Sequence, residues 1–127
     1  MQAKPKQEPR VYLAARVEDI PEIERTAQGI IKVLKKFGGY EPDVDDIWVY
    51  RIALCTFYLK KSECFLDAPT ATEYTYARVT DVQTKQQNMI KIAMEQLAIT
   101  RRDRLGEKRE ADLITKLQEA ITRAQHT

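Results

Sequence analysis

The residues in this chain best suited to chemistry are few. Cys55 and Cys64 are its only cysteines and His126 its only histidine. The cysteines stand nine positions apart, about 13 Å along a helix axis at 1.5 Å per residue, too far for a disulfide within one helix. With a single histidine near the chain end, no zinc set can be assembled from Cys and His alone. Asp43, Asp45 and Asp46 form an acidic cluster, but the glycine and the twelve-position ligand pattern of a calcium loop are absent, so they read as helix caps. No GxxxxGK[ST] or GxGxxG phosphate cradle occurs, and no GxSxG elbow or HExxH helix. The expectation is a non-enzymatic chain without a cofactor or metal.

The second kind of chemistry is charge. Lysine and arginine number 21 against 19 aspartates and glutamates, a net charge of +2, which excludes a strongly cationic nucleic-acid coat but leaves local patches open. One patch is Arg101, Arg102, Arg104, Lys108 and Arg109 against Asp103 and Glu107. A second is Lys4, Lys6 and Arg10 in the N-terminal stretch. Arginines and lysines in such runs contact DNA phosphates and make affinity fall with salt; equally, they pair with acids one helical turn away.

The elements that must position these groups are helical. The length of 127 residues suits one domain, and four glycines with five prolines argue against a turn-rich β fold. No apolar run reaches the length of a bilayer span and no signal peptide is visible at the N-terminus, which predicts a cytoplasmic protein. Residues 1–18 read as a mobile basic arm, residues 19–106 as a helical core and residues 107–127 as a C-terminal amphipathic helix. Within the core, a first helix starts near Asp19, with Glu22 completing a capping box, runs through Ile23, Ala27, Ile30, Ile31 and Leu34, and stops at Gly38-Gly39. Lys32, Lys35 and Lys36 suit its negative end.

A second helix, capped by Asp43 or Asp45, runs to about Leu66 and is apolar nearly all round. Such a helix demands cover on most sides, by its own domain and by another copy, through Ile47, Trp48, Tyr50, Leu54, Phe57 and Tyr58. Residues 67–80 read as a Thr/Tyr-rich loop or short hairpin, with Tyr74 and Tyr76 near period two. A third helix is expected from Thr80 or Asp81, and a pause at Leu105-Gly106. The last helix carries Leu113, Leu117 and Ile121 at coiled-coil-like spacing and is expected to pack on its own domain or on copies of itself. The fold class is therefore all-α, a bundle of about four helices.

The segment from Lys85 to Gly106 resembles the closing segment of phage terminase small subunits. In that family a helix leads through a Leu-Gly-Leu-type turn to Thr-Pro or Thr-Ser and then to Arg-x-x-Leu or Arg-x-Arg-Leu. Here the positions read Leu97-Ala98-Ile99-Thr100 and Arg101-Arg102-Asp103-Arg104-Leu105, with Ala98 in place of the usual glycine and Arg101 in place of proline. The resemblance implies a non-catalytic subunit of a viral DNA-packaging motor, in the cytoplasm of the host. It would bind double-stranded viral DNA as a homo-oligomeric ring and regulate a large ATPase–nuclease subunit. Two other classes fit the same elements: a helical DNA-binding transcriptional regulator, and a small structural or adaptor bundle.

Overall fold

The first helix, α1 (Ile20–Lys36), forms because its apolar residues recur at helical spacing, and Ala27, Ile30, Ile31 and Leu34 are all buried. A short 3-10 turn, Val17–Asp19, precedes it. The Asp19 carboxylate reaches back to the Arg16 backbone N–H at 2.9 Å, so Asp19 closes this turn instead of forming the expected box with Glu22. Gly38 adopts φ +75° and Gly39 N–H donates to the Leu34 carbonyl at 3.3 Å, the left-handed stop expected from the Gly-Gly pair. The computed structural model describes residues 16–66 and 72–126.

Helix α2 (Pro42–Leu66) starts on Pro42, whose fixed φ and missing N–H suit a first turn. Asp45 caps it by accepting from the Glu41 backbone N–H at 2.8 Å. Helix α3 (Glu73–Thr100) is longer than the sequence suggested. Thr72 is its cap, accepting from the Thr75 N–H at 3.2 Å. Residues 73–80 are helical, not a loop or hairpin. The period-two look of Tyr74 and Tyr76 misleads because helical partners override it: the Tyr76 hydroxyl donates to the Leu66 carbonyl, and Gln83 to the Ser62 hydroxyl, zipping α3 onto α2. Residues 67–71 of the expected loop lie outside the described residues, as do residues 1–15 of the expected arm.

Helix α4 (Arg102–Gln125) is broken at Gly106, whose φ of 74° and ψ of 168° belong to a region that is essentially glycine's own. The expected pause is thus a backbone kink. Beyond it Leu113 and Leu117 are fully buried and Ile121 nearly so, in one cluster with Ile30, Leu34, Val49, Ile52, Ile90 and Leu97. The C-terminal helix completes the core of its own chain. Four helices and, among the described residues, no strand make the fold an all-α bundle.

α1 and α4 pack on one side of the α2–α3 hairpin. Glu22 holds Lys60 at 2.8 Å and Asp19 lies 3.7 Å from Lys61, while the Tyr50 hydroxyl donates to Glu24 at 2.6 Å. Among the described residues, no helix is long and apolar enough to cross a membrane.

Candidate functional site

The arginine cluster at residues 101–109 does not act as one patch. Arg101 is 1% exposed. Its guanidinium donates to the Asp45 carboxylate and to the carbonyls of Gly39 and Leu97, so it ties the α1–α2 turn, the start of α2 and the end of α3 together. A buried guanidinium with three protein partners cannot meet DNA phosphate, and the expectation for Arg101 is corrected: it is a structural ion pair. Asp45 is accordingly both cap and buried counter-ion, and Asp46 accepts from the Tyr40 hydroxyl at 2.6 Å. That bond pushes the Tyr40 phenol up to about 12.

Arg102 is exposed but engaged. Its Nε and one Nη donate to the two oxygens of Glu110 at 3.1 and 3.0 Å. The partners are eight residues apart, a distance along a straight helix that side chains do not bridge; the kink at Gly106 brings them together. The guanidinium holds the Glu110 carboxyl below the usual range, and Glu110 in turn raises Arg102. Lys108 and Arg109 are exposed. Lys4, Lys6 and Arg10, and the side chain of Arg104, lie outside the described residues.

A different basic surface emerges where α1 and α4 run side by side. At one end a groove is lined by Lys36, Phe37, Arg109, Asp112, Thr115 and Lys116. Further along the same seam lies a second groove, lined by Glu22, Arg25, Thr26, Gly29, Lys60, Ala120, Arg123 and Ala124. Six basic residues against two acidic ones make this face more positive than the whole chain. Lys32, one turn before Lys36, is also exposed. The Arg109 guanidinium lies 5.1 Å from the centre of the Phe37 ring, a cation–π contact, and the residue is exposed. Lys116 lies 3.4 Å from Glu119, with both side chains about half exposed, an arrangement worth little energetically.

The sequence carried a signal for this face that charge runs concealed. Arg109, Lys116 and Arg123 stand seven residues apart, as do Arg25 and Lys32, so each set shares one helix face. Reading neighbouring charges as a patch selected residues that a helix points in different directions.

The expected oligomer surface divides in the same way. Leu113, Leu117 and Ile121 are buried in the core cluster with residues of α1, α2 and α3, and Phe57 is also buried, so none of the four is exposed for a partner. Trp48, Tyr50, Leu54 and Tyr58 are half-buried, and Ile47 is 60% exposed. Cys55 is buried and Cys64 exposed; burial pushes the Cys55 thiol up, away from reactivity.

Comparison with protein-family models, with curated proteins and with solved structures finds no match to this chain.

Proposed function

We propose that this chain is a non-catalytic, double-stranded-DNA-binding subunit of the terminase small-subunit type. It holds the phosphate backbone along the α1–α4 seam, works as an assembly of several copies, and presents DNA to a large ATPase–nuclease partner in the host cytoplasm. The observation that supports this reading is the convergence of Lys36, Arg109 and Lys116 on one groove that continues past Arg25, Lys60 and Arg123. Such a surface follows a phosphate backbone without reading bases. The Leu97–Leu105 resemblance supplies the packaging context.

The groove has the chemistry of phosphate contact: long cationic side chains on helices, with Lys36 and Arg109 beside the Phe37 ring, while Lys60 already pairs with Glu22. One copy provides only a few such contacts, so binding by a single chain is weak. Repetition in an assembly raises it by effective concentration.

The test is duplex binding by fluorescence anisotropy across salt, with Lys36→Glu/Arg109→Glu/Lys116→Glu against the parent chain. Three lost phosphate contacts should flatten the slope of log affinity against log salt by about 0.9 each. Binding and slope unchanged in the triple variant would overturn the assignment of this face. Co-purification with the large subunit of the same virus tests the packaging role.

A further inference from the structure

Among the described residues, α1 and α4 cover one side of the α2–α3 hairpin. Its other side carries an apolar groove floored by Ile47, Leu54, Cys55 and Met89, with Arg51 and Lys85 on its rim. Arg51 lies across it, its guanidinium 5.7 Å from the Trp48 ring and one Nη 3.7 Å from the Met89 sulfur. Ile47 is 60% exposed and Val44, one turn before, 44%. An isoleucine exposed to this degree beside a half-buried tryptophan and methionine is a surface that loses water favourably on contact.

The chain carries a ridge of opposite character at the start of α1. Val17 is 82% exposed and Ile20 54%. Residues 16–24 surround them with Glu18, Asp19, Glu22 and Glu24 against Arg16 alone, a local charge of −3. Asp19 and Glu22 are held by Lys61 and Lys60 of the same chain, and Glu24 by Tyr50, while the Glu18 side chain is 68% exposed and, among the described residues, pairs with Arg16. The ridge is fixed about ten residues along α2 from Arg51, roughly 15 Å, and cannot fold into its own groove.

We infer that the groove between α2 and α3 receives the Val17–Ile20 ridge of a second copy of this chain, with Glu18 of one copy facing Arg51 of the next. Lys85 contributes less, because Asp81 stands 3.3 Å from it. The two patches are different surfaces, so the contact is heterologous: every added copy presents a fresh groove at one end and a fresh ridge at the other. Copies therefore add in one direction and close into a ring if the rotation allows. The inference rests on the reading that this chain works as an assembly, and it names the surfaces that meet; it does not depend on DNA.

The experiment is a mixing test on full-length chain, read by sedimentation and light scattering. The parent chain should exceed the 14.7 kDa of one copy with a mass that rises with concentration. Ile47→Glu, which spoils the groove, and Val17→Glu/Ile20→Glu, which spoils the ridge, should each sediment as one copy. Mixed together they should form a dimer of twice that mass and nothing larger, since one good groove and one good ridge remain. All substituted positions are exposed, so the far-UV circular dichroism should be unchanged. Arg51→Glu should also dissociate the assembly, and adding Glu18→Arg to it should restore it. A parent chain that stays single, a variant that still assembles alone, a mixture that does not pair, or an uncompensated charge swap would each overturn the proposal. Duplex binding by the Ile47→Glu single copy, weak but still salt-sensitive, separates the two readings: if assembly follows the expected pattern while DNA binding is absent, only the DNA reading falls.

Discussion

Substituting Arg101 separates its role as a structural tie from the role of a DNA contact. In Arg101→Met the Asp45 carboxylate would stay buried while its guanidinium partner is gone, and the Gly39 and Leu97 carbonyls would each lose a donor. Breaking a buried pair by removing one partner costs about 3–5 kcal/mol. For a chain of this size that corresponds to a fall in Tm of roughly 10–20 °C. The double variant Asp45→Leu/Arg101→Met removes both charges and should recover much of the loss, because two apolar groups of similar volume need no partner. Recovery stops short of complete, by about 1 kcal/mol for the Asp45 cap on the Glu41 N–H and by a further amount for the Gly39 and Leu97 carbonyls, which still lack their donor. The assay is urea or thermal unfolding followed by circular dichroism, with the pairwise term taken from the four-member cycle. Under conditions where Arg101→Met is folded, the salt slope of its duplex binding should equal that of the parent. An Arg101→Met chain within about 0.5 kcal/mol of the parent, the scatter of ordinary surface changes, would refute the buried pair. A flattened salt slope would return Arg101 to the DNA surface.

Further outcomes follow from other particular contacts. Leu117 is fully buried, so Leu117→Ala should cost about 2–5 kcal/mol in unfolding without lowering the mass of the assembly; the reverse pattern would mark the last helix as an oligomer tail. A Cβ added at Gly106 meets no atom within 4 Å, so Gly106→Ala should cost only the backbone conformation, about 1–3 kcal/mol, and should weaken the Arg102–Glu110 pair that the kink creates, seen as a rise of the Glu110 carboxyl toward its ordinary range by NMR titration. Tyr40 and Tyr50 donate to Asp46 and Glu24 and are both pushed up to about 12. A folded-state value above the ordinary 10 means their contribution is fully present below pH 10 and is lost as pH rises from 10 through 12. Urea midpoints should therefore fall over that window, and less so in Tyr40→Phe/Tyr50→Phe; an equal fall in that variant would deny these two bonds a role.

What could be read from the residues alone was local. Helical spacing gave α1, α2 and the last helix. Gly38 and Gly106 announced the two places among the described residues where φ turns positive, because few residues other than glycine take that backbone readily. The missed turns of α3 show the limit of such reading: Tyr74, Tyr76 and the threonines lean toward strand, and contact with the antiparallel partner α2, through Leu66 and Ser62, accompanies the helix instead.

Three matters were settled only by tertiary contact. Which basic residue is buried depends on a carboxylate 56 positions away in the chain, since Asp45 turns Arg101 inward while Arg109 remains outside on Phe37. Which cations form a face depends on two helices from opposite ends of the chain lying side by side, so Lys36 and Lys116 become neighbours. Which apolar side chains remain for a partner depends on what the other helices leave uncovered: Leu113 and Leu117 are consumed by the core, and Ile47 is left. Periodicity records the direction a side chain takes from its own helix; the group it meets there is fixed by how the helices pack.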